Sequence, residues 1–423
     1  MTMDAWLAGG IFLVAYALIA TERLDRTLVA LLGGLIVIAL GVIDQDEAFE
    51  AIDFNVIFLL VGMMVLAGRL AQTGFFDWVA IRSVRLSDGR PFRLLVILSL
   101  LTAVLSALLD NVTTVVLIAP VTLSIAATLR VSPVPYLICQ VLASNIGGTA
   151  TLIGDPPNIL IGSAAGLDFT AFLVNLGPVV VLILVAFVVT LRLWFASTLR
   201  VAADRRDEML QLDPAAAITD RRGMQIGLAV LGLTILGFLA HTALGLEAAT
   251  VALLGATVLM LAARQEPHQA LQEIEWSTLF FFVGLFILVG AIVHVGIVSS
   301  IADGLSRASG GSLHVATIGL LWFSALASAV VDNIPYTATA IPIVERLVEG
   351  GLEARPLWWA LALGACLGGN LTLVGASANI VVANLAKRAG HEIGFGEFFR
   401  YGSIVVAESL VISTAYLWLG YLS

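Results

Sequence analysis

The stretch SALLDNVTTVVLIAP at 106–120 has a partner, SAVVDNIPYTATAIP at 328–342, and in each an Asp-Asn pair interrupts an otherwise apolar run. The pairs are Asp110-Asn111 and Asp332-Asn333, 222 residues apart. The same offset places Asp53-Phe54 over Glu275-Trp276, Gly62 over Gly284, Gly68 over Gly290 and Gly74 over Gly296. One residue of slip, offset 221, continues the match with Gly148 over Gly369, Thr151 over Thr372, Gly154 over Gly375 and Asn158 over Asn379. So many Gly and Asn matches in order point to a tandem duplication. It divides the chain into a first repeat at 1–195, a linker at 196–222 and a second repeat at 223–423.

The solvent around these repeats follows from composition. Of 423 residues 60% are hydrophobic and 12% charged, which leaves too much apolar surface for a water-soluble fold of this size. Apolar runs of about 17–25 residues, each enough to cross a hydrocarbon core of ~30 Å, occur near 5–21, 26–43, 55–72, 133–165, 169–195, 223–243, 246–263, 277–297, 357–386 and 397–421. The two segments with a polar centre, 94–129 and 313–348, are extra. If each turns back rather than crossing, eighteen of the 21 Lys and Arg fall on one side and only Arg307, Arg346 and Arg355 on the other. If each crosses once, the division is 11 to 10, so positive-inside asymmetry favours hairpins. Arms at 94–109 and 115–129 span about 22–24 Å of helix, which predicts partial penetration.

The expected fold is therefore an all-α polytopic membrane protein: two inverted repeats, each of five transmembrane helices and one re-entrant hairpin, with broken helices at 133–165 and 357–386. Five spans per repeat set the second copy upside down. Both termini then fall on the outer, periplasmic side of the cell inner membrane, and 196–222 becomes a cytoplasmic linker. The residues from Met1 to Gly10 lack the basic start of a cleaved signal, so the chain reads as mature sequence. Cys139 and Cys366, deep in apolar runs, read as small buried residues. The net charge of −9 carries little information for a membrane protein, and no nucleic-acid partner is indicated. The bilayer itself is the expected partner.

Backbone broken at membrane depth survives only where protein, ions or water satisfy it. Four such breaks are expected. The hairpin tips carry Asp110, Asn111, Thr113 and Thr114, and Asp332, Asn333 and Thr337. The loops carry Asn145, Gly147, Gly148, Thr149, Thr151, Asp155 and Asn158, and Gly368, Gly369, Asn370, Thr372, Ser377 and Asn379. Glycines there are expected to permit left-handed or extended backbone, turning carbonyls toward one point, while Asn and Thr oxygens add neutral hard ligands. Such a cage suits Na+, with Asn111, Gly148, Asn333 and Gly369 as ligands. Restarting helices aim N–H groups inward and suit an anionic group. The plainer reading of each tip is that its Asp caps the following helix, with Pro335 in its first turn, and Asp155 before Pro156-Pro157 invites the same. Its counterpart Ala376 has no carboxylate, so the halves cannot bind ions identically.

Glu408, near the middle of the last span, is a proton-relay candidate, with a structural partner as the alternative. His294 falls at the interface. Trp6, Trp78, Trp194, Trp276, Trp358, Trp359 and Trp418 sit near span ends and read as an aromatic belt. Segment 74–88 reads as a helix on the cytoplasmic surface. No nucleophile–base pair, metal-ligand spacing or phosphate loop occurs, so no enzyme and no cofactor is expected, only a coupling ion, Na+ or H+.

The motifs DNVTTVVLIAPVT, NIGGTATLIGDPPN, SALASAVVDNIPYTATAIPI, GACLGGNLTLVGASANIV and GEFFRYG resemble ArsB/NhaD-type transporters of the ion transporter superfamily, and within them the pink-eyed dilution branch. The resemblance spans about 50–405. It implies a scaffold and a mobile transport domain that moves as an elevator in a homodimer. Sodium–dicarboxylate symporters of that superfamily carry Ser-Asn-Thr at the tips where this chain has Asp-Asn. Ion-coupled secondary transport by alternating access is expected, as Na+/H+ antiport or arsenite-type oxyanion efflux of a small ion. The alternatives are a sodium-coupled carboxylate or divalent-anion symporter and a passive ion channel. An assisting ATPase subunit is left open.

Overall fold

The computed structural model describes residues 2–21, 23–196, 199 and 213–423, and within them every regular element is helical. The first half contains α1 (Met3–Thr21), α2 (Arg26–Ala39), α3 (Gln45–Glu50), α4 (Phe54–Gln72), α5 (Phe75–Leu86), α6 (Pro91–Leu108), α7 (Asn111–Leu129), α8 (Val134–Gly148), α9 (Pro156–Ala165) and α10 (Phe169–Phe195). The second contains α11 (Arg221–Leu244), α12 (Ala248–Ala263), α13 (Pro267–Leu271), α14 (Trp276–His294), α15 (Ile297–Ser309), α16 (Leu313–Val331), α17 (Asn333–Glu349), α18 (Ala354–Gly368), α19 (Ser377–Arg388) and α20 (Phe395–Tyr421). Each element of the first half has a counterpart ten labels later. The pairs α4 and α14, α8 and α18, and α10 and α20 have equal lengths of 19, 15 and 27 residues.

Local chemistry sets these boundaries. Asp25, Asp53, Asp168 and Asp220 each accept a first-turn N–H of the helix that follows, the usual service of a short acidic cap. Gly74 and Gly296, at φ 78° and 77°, turn the chain from α4 into α5 and from α14 into α15, a conformation that glycine adopts without penalty.

Nine helices among the described residues are long and apolar enough to cross a membrane. They include both arms of the first hairpin, α6 with 18 residues and α7 with 19. The arms are thus longer than their expected bounds, at about 27–28 Å. Pro91 starts α6 directly after Arg90, and Asp110 caps α7 at Asn111, so the tip residues from Asn111 to Thr114 are themselves helical. Arm length no longer argues for partial penetration. Conversely α2 stops at Ala39 instead of 43, because Gly41 takes φ 69°. The second half begins with α11 at Arg221, two residues before its expected boundary. Most of the linker expected at 196–222 lies outside the described residues. Its described end is a short 3-10 turn, Pro214–Ala217, followed by Thr219, whose N–H donates to the Thr73 carbonyl at 3.0 Å.

The halves interlock. Helix α4 packs on α12 of the other half, where a Cβ added to Gly62 would meet the Ala252 backbone at 2.5 Å. The counterpart contact sets α14 on α2, with Gly284 meeting Ala30 at 2.4 Å in the same sense. Shifting Gly62 and Ala30 by 222 gives Gly284 and Ala252, so the two contacts exchange under the repeat. Hairpin arms follow suit: α7 packs on α19 and α17 on α9. Large apolar residues of α1, α10 and α11 point outward, Leu13, Val181 and Leu233 among them, as lipid-facing surface requires. Helix α5 is amphipathic as expected, and it buries Phe75, Phe76 and Val84. Trp6, Trp276 and Trp418 are exposed, but Trp358 and Trp359 are buried, Trp359 edge-on to Phe172. These two are core residues, because α18 lies in the protein interior.

Candidate functional site

Each half wires its hairpin to its broken helix with the same hydrogen bonds. Ser106 Oγ donates to the Ser144 carbonyl at 2.8 Å, and its counterpart Ser328 to Ala365 at 2.6 Å. Thr151 Oγ1 donates to Ala107 at 2.6 Å, and Thr372 to Ala329 at 2.5 Å. Asn158 Nδ2 holds the Thr151 and Thr149 carbonyls at 2.8 and 3.1 Å, and Asn379 Nδ2 holds Gly369 and Thr372, both at 2.8 Å. Backbone freed by the helix breaks is thereby satisfied from within the protein, as the membrane interior demands. These Asn and Thr groups organise the loops. Gly148 and Gly369 present carbonyls that already accept an Asn amide, each with a second lone pair remaining.

The loop glycines act differently from expectation. Gly147, Gly148, Gly368 and Gly369 all have ordinary negative φ. What they supply is proximity: a Cβ on Gly147 would lie 2.1 Å from the Ala103 carbonyl oxygen, and one on Gly368 2.4 Å from that of Ala325.

Where the halves meet, the side chains cross-link them. Asn111 Nδ2 donates to Asn145 Oδ1 at 3.1 Å, and Asn145 Nδ2 donates to Asn370 and Asn379 Oδ1 at 2.9 and 3.0 Å. Cys366 Sγ donates to Asn158 Oδ1 at 3.4 Å, the counterpart of the Asn145–Asn379 bond. Asn333 Nδ2 reaches across to both oxygens of Asp155, at 3.1 and 3.3 Å. Thus the four breaks form one buried polar centre, into which α7, α9, α17 and α19 start.

The three carboxylates of that centre have different surroundings. Asp110 caps α7 through Thr113 N–H at 2.7 Å. Beside it, Asn111 Oδ1 and Thr114 Oγ1 are buried acceptors without a protein partner. Asp155 is fully buried and makes no capping bond to α9, so its carboxylate is free for the cross-link to Asn333. Asp332 caps α17 through Ile334 N–H at 3.0 Å, accepts from Ser377 Oγ at 2.7 Å and lies 3.7 Å from Arg26 Nη1. Its backbone sits at φ 82°, ψ 141°, a region that costs an L-residue of order 1–3 kcal/mol. Thr337 Oγ1 bonds back to the Asn333 carbonyl, and Thr149 Oγ1 to that of Asn145.

Arg26 and Cys366 were not among the residues nominated from sequence. In the sequence Arg26 is one of the eighteen basic residues that the hairpin reading sets on one side; the signal available was that its counterpart is Ala248. Glu408 lies apart. Thr190 of α10 donates to its Oε2 at 2.6 Å, while Oε1 is buried without a partner. His294 pairs with Glu47 at 3.0 Å beside an apolar cavity of about 430 Å³. Cys139 and Cys366 are free and buried.

This architecture matches known proteins. A family model described as citrate transporter, CitMHS, matches residues 16–364. The chain belongs to the CitMHS citrate transporter family. A relative in Mycobacterium tuberculosis, described as an uncharacterized transporter, is 46% identical over 418 residues, covering 97% of each chain. The 46 kDa membrane protein of Mycobacterium leprae is 44% identical over 419 residues, covering 97% of this chain and 98% of the other. The human P protein is 35% identical over 496 residues; the match takes in 97% of this chain and 59% of that longer protein, in line with the branch whose motifs the tips and loops resemble. Among solved structures, the Alcanivorax borkumensis YdaH transporter superposes with a TM-score of 0.60 at 14% identity, covering 99% of both chains. Neisseria gonorrhoeae MtrF gives 0.54 at 13%, covering 99% of this chain and 95% of the other. At such identities the likeness is one of fold. This member of the citrate transporter family is a multi-pass membrane transporter and not an enzyme.

Proposed function

We propose that the chain is an ion-coupled secondary transporter that exchanges a small cation, Na+ or H+, across the cell inner membrane by alternating access. The observation that carries this reading is Asp155. It is a fully buried carboxylate at membrane depth, released from helix capping and held by a neutral amide from the opposite half. A charge at the centre of a bilayer costs roughly 2.5–3.5 kcal/mol on insertion scales, and a group kept there invites a mobile cation or proton as partner. Asp110, with the unpartnered oxygens of Asn111 and Thr114 beside it, is the second such place. Three carboxylates and one arginine leave the centre acidic, which favours a cation over a multiply charged anion.

The exchange of contacts between halves supports inverted repeats, with the hairpins and broken helices as a mobile unit against α2, α4, α12 and α14; a homodimer as the assembly rests on the family resemblance alone. Efflux of a small oxyanion such as arsenite, following the ArsB/NhaD resemblance, fits the same centre if the oxyanion is neutral. A second reading, symport of a carboxylate with a cation, draws on the family description and on four helix N-termini entering one centre.

The test is a proteoliposome assay with an internal pH dye, pulsed with Na+, Li+, arsenite and citrate. The expected result is a pH change on a Na+ or Li+ pulse that Asp155→Asn and Asp110→Asn each abolish. A pH response to citrate alone, intact in both variants, would replace this reading with the second.

A further inference from the structure

Besides Asp155 over Ala376 and Asn145 over Cys366, the repeat departs from itself beside the hairpin tips. Arg26, the first residue of α2, lies 3.7 Å from Asp332 Oδ2 through Nη1 and also donates to Ser377 Oγ, which bonds the same carboxylate oxygen. Its guanidinium sits over the Phe281 ring, 5.2 Å from the centroid, a cation–π seat. In the other half the equivalents of Arg26 and Phe281 are Ala248 and Leu59. Those two residues line an open cleft of about 650 Å³. One tip therefore carries a positive charge from its own chain on an aromatic seat, and the other has neither.

We infer that Arg26 is a tethered cation that occupies the second tip, and that Asp332 leaves it only by taking a mobile cation in exchange. This rests on the reading of the centre as a cation site. Helix α2 packs on α1 and α14, whereas Asp332 and Ser377 start α17 and α19, so any displacement of the tip relative to α2 separates the pair. A bare carboxylate moving through the low-dielectric interior is costly, so the separation needs a replacement charge. The ionisable groups acting on Asp332 and its neighbour Asp155 are Arg26, Asp110, the Cys366 thiol and each other, and Arg26 is the sole cation among them. The first tip then binds its cation from solution, the second from the chain, and Arg26 sets how many mobile cations one cycle needs.

The test uses the full chain purified in detergent, with thermal melting followed against NaCl exchanged for choline chloride at fixed ionic strength, and against pH without Na+. Arg26→Gln should gain a Na+-dependent rise in melting temperature, or a proton-dependent one in the second arm, with a Hill slope moving from about one toward about two. Arg26→Lys should behave as the parent, and Arg26→Gln with Asp332→Asn should lose the added response. Identical ion and pH responses in Arg26→Gln and the parent overturn the inference, as does an added response that survives Asp332→Asn. If Arg26→Gln alone does not fold, adding Asp332→Asn should restore folding by removing the unpaired charge, and failure to do so overturns it too. Asp110→Asn in the parent tests the cation reading of the centre separately, since it leaves the Arg26 pair in place.

Discussion

Asp155 and Asn333 illustrate how much rests on single atoms. Asn333→Ala removes the amide that both carboxylate oxygens of Asp155 accept from. Losing a hydrogen bond to a buried charged group costs about 1.5–3 kcal/mol. The expected outcome is a lower melting temperature in detergent, largely recovered when Asp155→Asn is added, because the second change removes the stranded charge. A double-mutant cycle on the four proteins measures the coupling, and simple additivity would deny the cross-link. The loop glycines are a second residue-scale case. Gly147→Ala places a Cβ 2.1 Å from a backbone carbonyl oxygen, with no flexible side chain to move aside. Overpacking of this kind costs about 1–3 kcal/mol or more, and Gly368→Ala should behave alike.

Among the elements, the reciprocal contacts of α4 on α12 and of α14 on α2 make the halves mutually dependent. Gly62→Val and Gly284→Val are each expected to lower thermal stability by comparable amounts, since each drives a branched side chain into a backbone 2.4–2.5 Å from the first added carbon. Near the linker, Arg69 Nη2 lies 2.6 Å from Asp220 Oδ2, and the Asp220 carboxylate also accepts Gly223 N–H at 2.8 Å. The Gly223 amide foremost, then Arg69, hold this carboxyl below its usual range. A depressed carboxylate contributes stability above its unfolded pKa and loses it as pH falls through the folded one. Asp220→Asn should therefore melt below the parent at neutral pH, with the gap closing as the pH drops from about 5 toward 3. A gap that widens on acidification would contradict the assignment.

For the whole molecule, inverted repeats predict that equivalent positions face opposite sides of the membrane. Arg90 and Ser312 precede α6 and α16 at the bases of the two hairpins, 222 residues apart. Cysteines introduced one at a time at these positions, in intact cells, should react with an impermeant maleimide from opposite sides. The native Cys139 and Cys366 are buried and contribute little background. Labelling of both from one side would refute the inversion.

The duplication, the helical class and the four breaks were legible in the chain because they depend on local and periodic signals: apolar runs of membrane length, Asp-Asn interruptions, and Gly and Asn recurring at a fixed offset. The caps at Asp110 and Asp332 were legible for the same reason, since a cap acts within three residues. Arm lengths were misjudged, because the tip's polar residues are helical once an aspartate caps them, and polarity alone does not mark a helix end. Only the tertiary structure could reveal that Asp155 is cross-linked to Asn333, that the loop glycines serve close packing rather than unusual backbone, and that Arg26 pairs with a residue 306 positions away. Such contacts depend on which helices of the two halves lie side by side, and no periodicity within the chain records that. The sequence already made the two loops unequal, with Asp155 opposite Ala376; a single arginine, placed by the packing of α2 against α14, makes the two tips unequal as well.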